Sequence, residues 1–96
     1  MTTKERFFSY LKSGGSFAFT VDGVSYCIDA CGYSKIINGK QHSFRYSICP
    51  FNINENLAIE GEYNSVDELL EYKLVNGNRL KDHIGDMDNM YQILYA

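Results

Sequence analysis

The apolar positions of this chain change period along its length, from helical spacing to strict alternation and back. Near the start, Phe7, Phe8 and Leu11 fall within one helical face, Thr2 with Glu5 three residues later forms a capping box, and Gly14-Gly15 stops the run. This predicts a helix over about residues 3–12. Alternation takes over in Phe17-Ala18-Phe19-Thr20-Val21, then Asp22-Gly23, then Val24-Ser25-Tyr26-Cys27-Ile28. Asp-Gly between alternating arms is a two-residue hairpin signal, which sets Val21 against Val24, Phe19 against Tyr26 and Phe17 against Ile28. All six large side chains then share one face, and a one-residue slip would scatter them over both, so turn and pattern specify one register over 17–28.

A second hairpin, 33–49, follows from Tyr33 to Ile37, Asn38-Gly39, and Lys40 to Cys49. Its second arm sets His42, Phe44, Tyr46 and Ile48 against Ser43, Arg45, Ser47 and Cys49, the pattern of a half-buried strand; two- and three-residue loops both fit. Pro50 lacks a backbone donor and ends this arm. Further on, Leu57, Ile59, Gly61 and Tyr63 alternate with Ala58, Glu60 and Glu62, which predicts a strand over 57–62.

Helical spacing returns at Ser65, where Ser65 and Glu68 form a second capping box ahead of Val66, Leu69, Leu70 and Leu74 or Lys73. A second helix follows from Asn78, with Leu80, Ile84 and Met87 on one side. The ending reads two ways: one helical stripe through Tyr91 and Leu94, or a helix to about residue 88 followed by an extended Met90 to Tyr95, because Gly85, Asp86, Asp88 and Asn89 weaken the helix. The expected fold is a single α+β domain over 1–96. An antiparallel sheet of about four or five strands is covered on one face by the N-terminal helix and two C-terminal helices.

Ninety-six residues can bury a core without disulfides or metals. Charge changes the picture more than composition does. Residues 1–50 carry six bases and three acids, and residues 51–96 carry three bases and nine acids, so +3 and −6 make up the net −3. The acidic half disfavours direct nucleic-acid binding and suits a basic partner. With no apolar run near the ~20 residues of a membrane span and no signal-peptide core after Lys4, Glu5 and Arg6, a cytoplasmic protein is expected. Cys27, Cys31 and Cys49, an odd number, read as reduced, partly buried thiols.

Candidate chemistry is sparse. Cys27 and Cys31 would stand ~13 Å apart along a continuous strand and no second knuckle completes a zinc set, so no metal is expected. No nucleophile motif surrounds the cysteines or His42 and His83, and no catalytic residue is assigned. The Asp86-Met87-Asp88-Asn89 run lacks the glycine and terminal glutamate of a calcium loop, and Gly14-Gly15 precedes a strand where a phosphate cradle would follow one. The hairpin aromatics read as core, leaving the acids and a subset of tyrosines as surface features.

The segment Ser65-Val66-Asp67-Glu68-Leu69-Leu70-Glu71-Tyr72-Lys73-Leu74-Val75-Asn76-Gly77-Asn78-Arg79-Leu80-Lys81-Asp82-His83-Ile84 resembles short uncharacterised proteins of phages and mobile elements in low-GC Gram-positive bacteria, and Val21 to Tyr26 loosely extends the likeness. That resemblance implies a small accessory protein, and such proteins include anti-defence inhibitors of the anti-CRISPR kind. The expected function is a non-enzymatic inhibitor or regulator without cofactor, acting in a bacterial host cell. It would bind a larger basic, nucleic-acid-handling protein such as a CRISPR-type effector through Glu60, Glu62, Asp67, Glu68, Glu71, Asp82, Asp86 and Asp88, with Tyr72 among the tyrosine anchors. Two alternatives stand beside it: a small-molecule-binding or hydrolytic domain with a pocket between sheet and helices, with Cys49 or His42 near its mouth, and a homodimeric structural module joined through a sheet edge.

Overall fold

The computed structural model describes residues 1–53 and 59–93. It begins with helix α1 (Thr3–Ser13), whose capping box is complete: Thr2 Oγ1 accepts from the Glu5 N–H at 3.1 Å, and the Thr2 N–H donates to Glu5 Oε1 at 3.3 Å. Strands β1 (Ser16–Val21) and β2 (Val24–Asp29) form the first hairpin in the expected register, with Val21 opposite Val24, Phe19 opposite Tyr26 and Phe17 opposite Ile28. Asp22 and Gly23 both take positive φ, 50° and 76°, as a tight hairpin turn matched to the strand twist requires.

The second hairpin differs from expectation. Strands β3 (Tyr33–Ile37) and β4 (Lys40–Phe44) pair through the two-residue turn Asn38-Gly39 and form a sheet of their own. The long second arm predicted to Cys49 breaks at Arg45, whose N–H turns to the carbonyl of Tyr63 at 3.1 Å. Strand β5 (Tyr46–Pro50) then joins β2 instead, with Cys27 opposite Cys49 and Ile28 opposite Ile48. Pro50 does not end this pairing, because the Phe51 N–H still donates to the Ser25 carbonyl at 3.0 Å. In that ladder Ser25, Cys27 and Asp29 direct their backbone groups at β5, so Pro50, opposite Tyr26, turns its missing donor away from β2.

Strand β6 (Gly61–Tyr63) pairs with β5 and is shorter than the predicted 57–62. Ile59 and Glu60 are exposed and extend no strand, while Leu57 and Ala58 lie outside the described residues. Helix α2 (Val66–Leu70) starts at Ser65, whose hydroxyl accepts from the Glu68 N–H at 3.2 Å, and it stops four residues before Leu74. The expected second C-terminal helix is only a 3-10 turn, Leu80–His83. Leu80, Ile84 and Met87 are nonetheless buried, so the helical spacing identified the inward residues and not the backbone that delivers them.

The last described element is strand β7 (Asp88–Ile93), antiparallel to β1, which realises the extended reading for the described part of Met90 to Tyr95. Ala18 faces Tyr91, but Thr20 faces Asp88, so two β7 residues oppose Phe19; Asn89, with φ 50°, makes this bulge. The main sheet therefore runs β6-β5-β2-β1-β7, wholly antiparallel, in an α+β fold with few helical residues. Phe7 and Leu11 of α1 join Phe17, Phe19, Tyr26, Ile28, Ile48, Leu69, Tyr72 and Leu80 in one apolar core.

Candidate functional site

Between α2 and the 3-10 turn the chain makes a tight excursion that builds one wall of a surface depression. Tyr72 and Leu74 leave the end of α2 in extended form, and Lys73 bridges Arg79 in antiparallel fashion. Asn76-Gly77-Asn78 reverses the chain: Gly77 takes φ 92°, and Asn76 Oδ1 accepts from the Asn78 N–H at 2.9 Å. Backbone bonds close the excursion, from Leu74 N–H to the Asn78 carbonyl and from Leu80 N–H to the Tyr72 carbonyl, both 2.8 Å.

Side chains fasten it to the sheet. The Val75 N–H donates to Tyr26 Oη at 3.0 Å, Asn76 Nδ2 donates to Asp22 Oδ2 at 2.5 Å, and Tyr72 Oη donates to the Ile59 carbonyl at 2.6 Å. The result is an open groove of about 650 Å³. Ile59, Tyr63, Tyr72, Leu74 and Val75 give it apolar walls, and Glu60, Glu71, Lys73 and Arg79 bring charge. Ile59 is 73% exposed and Val75 42%, large values for aliphatic side chains lying together in one groove. A smaller depression of about 340 Å³ lies among Phe8, Leu11, Lys12, Arg45, Tyr46 and Val66; neither it nor the groove includes Cys49 or His42.

The nine residues singled out in the sequence are distributed unevenly. Glu60, Glu71 and Tyr72 meet at the groove, and Asp67 and Glu68 are exposed on α2 beside it. Tyr72 is only 4% exposed and packs edge-on against Tyr26, so its ring is a wall of the core and not a surface anchor. Several carboxylates serve local structure. Glu62 accepts from Tyr33 Oη and Lys35 Nζ, which ties the β3–β4 hairpin to the sheet and holds the Glu62 carboxyl below its usual range. Glu71 pairs with Lys81 at 2.7 Å, raising the Lys81 pKa, and approaches Arg79 at 4.0 Å. Glu68 Oε1 receives the Ser65 hydroxyl at 3.0 Å, and Asp82 Oδ2 receives the Arg79 N–H at 3.0 Å. Among the described residues, Glu60, Asp67 and Asp88 make no such polar contact.

Compared with family models, curated proteins and solved structures, the chain matches none. Its chemistry has to be read from the groups themselves. His83 sets Nδ1 against Asp86 Oδ1 at 2.9 Å, which looks like a base and its orienting carboxylate. Its Nε2 is already occupied, however, by the Asn78 side-chain amide at 2.9 Å and that of Asn76 at 3.3 Å. The imidazole thus joins Asp22, Asn76, Asn78 and Asp86 in one network that braces the groove's outer loop. His42 is exposed and stacks on Phe44. All three thiols are pushed above their ordinary pKa, Cys27 and Cys49 chiefly by burial and Cys31 chiefly by its hydrogen bond to Asp29. Among the described residues no group of three or more His, Cys, Asp or Glu side chains is placed to hold a metal ion, and no helix is long and apolar enough to cross a membrane.

Sequence reasoning missed Ile59, Lys73, Val75, Arg79 and the hydroxyl of Tyr26. The one available signal was Val75-Asn76-Gly77-Asn78, a turn sequence inside a stretch read as helix-turn-helix cover.

Proposed function

We propose that this protein is a small non-enzymatic binding module that inhibits or regulates a larger basic protein, with the acidic margin of the groove as its contact surface. The observation that carries the reading is the exposure of Ile59 and Val75 in a groove flanked by Glu60 and Glu71. Apolar contact area at the centre with a polar, solvent-accessible rim is the usual anatomy of a protein interface, and Glu60 and Glu71 give part of that rim acidic charge beside Lys73 and Arg79. Asp67 and Glu68 extend the acidic margin along α2. The raised thiol pKa values, which keep those groups protonated near neutral pH, and the saturated His83 ring weigh against an enzymatic nucleophile or general base there.

On this reading the partner is a nucleic-acid-handling protein, such as a CRISPR-type effector in the cytoplasm of a bacterial host, met through its basic surface. The resemblance of Ser65 to Ile84 to phage and mobile-element proteins points the same way. The test uses Glu60→Lys with Asp67→Lys, two carboxylates without structural duties among the described residues. Partners captured by the wild-type protein at low and moderate salt are compared with those of the variant, after circular dichroism has shown equal folding. A basic partner lost with the variant and weakened by salt supports the proposal; equal capture by both proteins refutes the acidic contact. The groove volume also falls in the range of about 300–1,000 Å³ typical of small-molecule sites, with Lys73 and Arg79 available to an anionic ligand. A small molecule retained in native mass spectra and lost with Arg79→Ala would favour that second reading.

A further inference from the structure

Cys27 and Cys49 lie directly opposite each other on β2 and β5, and both are half-buried. The bond from Phe51 N–H to the Ser25 carbonyl fixes the phase of this ladder. Residues 25 and 51 therefore stand in the hydrogen-bonded phase, with the Ser25 N–H turned to Asn52 Oδ1 at 2.6 Å, residues 26 and 50 stand in the non-bonded phase, and residues 27 and 49 return to the bonded one. A pair of this kind holds its Cα atoms about 5.5 Å apart, inside the window of about 4.4–6.8 Å that a disulfide spans. Its Cβ atoms, near the upper end of about 4.5–5.5 Å, are wider than the ~3.8 Å that a relaxed disulfide prefers. The bridge can therefore form with a small approach of the strands, and it forms under strain.

We propose that Cys27 and Cys49 are a modification site: a cross-strand dithiol that low-molecular-weight disulfides convert reversibly into an intramolecular disulfide. The Cys49 thiolate attacks one sulfur of the small disulfide, forming a mixed disulfide and expelling one small thiolate. The Cys27 thiolate then attacks Cys49 Sγ, closing the protein bridge and expelling the second small thiolate. The two thiol protons of the protein end on the two small thiols, and two electrons pass from protein to reagent. Both thiols sit above their ordinary pKa through burial, with the neighbouring Cys49 adding to the effect on Cys27, so exchange accelerates with pH. Strain makes the bridge easy to reduce, the property of a labile disulfide as opposed to a structural one. The ring it closes encloses the whole β3–β4 hairpin, so oxidation would fasten the base of that hairpin to the main sheet.

The probe is glutathione disulfide, applied to the full chain at pH 8. Intact mass and alkylation with iodoacetamide should show Cys27 and Cys49 lost to alkylation together, with the loss of two hydrogens and no retained glutathione on that pair, while the exposed Cys31 is either alkylated or carries one glutathione. Cys31→Ser should leave no free thiol after the same treatment. Cys27→Ser and, separately, Cys49→Ala should retain only mixed disulfides, with circular dichroism checking that each still folds. Reduced glutathione in excess should reopen the bridge. Closure through Cys31, or Cys27 and Cys49 remaining fully alkylable while Cys31 alone takes up glutathione, would overturn the assignment. A bridge that survives excess reduced glutathione would overturn its labile character.

Discussion

Removing one hydroxyl, in Tyr72→Phe, separates two roles for that residue. Tyr72 Oη donates to the Ile59 carbonyl at 2.6 Å, and its ring packs edge-on to Tyr26 with centroids 6.4 Å apart. Phe preserves the ring and its burial and deletes one neutral hydrogen bond, worth about 1 kcal/mol net. The orphaned carbonyl belongs to a residue that is 73% exposed, so water can replace the donor and the larger penalty of about 1–3 kcal/mol for a dry unpaired group does not apply. The expected loss is about 0.5–1 kcal/mol, against about 3–5 kcal/mol for Tyr72→Ala, which empties the ring's place in the core. With a urea slope of about 1 kcal/mol/M for a domain this small, the midpoint should fall by about 0.5–1 M. Hydrogen exchange should quicken at Ile59–Tyr63 while β1 and β2 stay protected. The pH dependence adds a sign. Burial first, then the neighbouring Tyr26, Tyr63 and Cys49, raise the Tyr72 pKa above its ordinary 10.0. Because the folded value is the higher, this contribution is fully present below pH 10 and is lost as pH rises toward the folded value, by up to about 1.4 kcal/mol per pH unit per proton. The variant lacks that liability, so its deficit should shrink above pH 10. Parallel stability curves from pH 7 to 11, or exchange rates unchanged at Ile59–Tyr63, would refute the structural role.

Gly61→Ala should displace the Tyr63 ring, because a Cβ at Gly61 would lie 2.6 Å from Tyr63 Cε2; since the obstacle is the far end of a half-exposed side chain, the stability loss should stay at about 1 kcal/mol, and unshifted Tyr63 ring resonances would contradict it. Glu62→Gln should weaken the tether of the β3–β4 hairpin, read as faster exchange of the amides from Lys35 to Ser43 with the main sheet unaffected. The wild type should reproduce that loss in acid: Lys35 and then Tyr33 hold the folded Glu62 pKa below its ordinary 4.5, so the tether is present above pH 4.5 and fails as pH falls through the lower folded value.

The first hairpin was legible because two independent constraints agreed: Asp22-Gly23 permitted one turn, and only one register placed Phe17, Phe19 and Val21 with Val24, Tyr26 and Ile28 on a common face. Where one constraint acted alone, the backbone was ambiguous. Leu80, Ile84 and Met87 are spaced as a helix requires, but a 3-10 turn followed by a bend buries the same three residues, and so short a segment shows too few periods to tell them apart. The break at Arg45 was hidden because alternation continues across it, while the strand changes partner from β3 to β2. Tyr72 could have been placed correctly, since it lies three residues after Leu69 and so on the buried side of the helix end.

The acidic half of the chain illustrates why summed charge and binding surface are different quantities. Residues 51–96 carry nine acids, yet Glu62, Glu68, Glu71, Asp82 and Asp86 are held by Lys35 and Tyr33, Ser65, Lys81, the Arg79 backbone and His83. Carboxylates engaged in this way shape loops, and pairs at the surface add little to stability. What sets the groove apart is charge next to exposed apolar side chains on a loop that is already fixed. Tyr26 holds Val75, Asp22 holds Asn76, and the Asn78 amide meets the His83 ring. A loop braced at three points loses little further freedom when a partner covers it, so more of the contact energy of Val75 would appear as affinity. The network also makes the groove dependent on the turn of the first hairpin: Asp22 shapes that turn and anchors the loop's outer end, which links the most strongly specified element of the sequence to the surface proposed for binding.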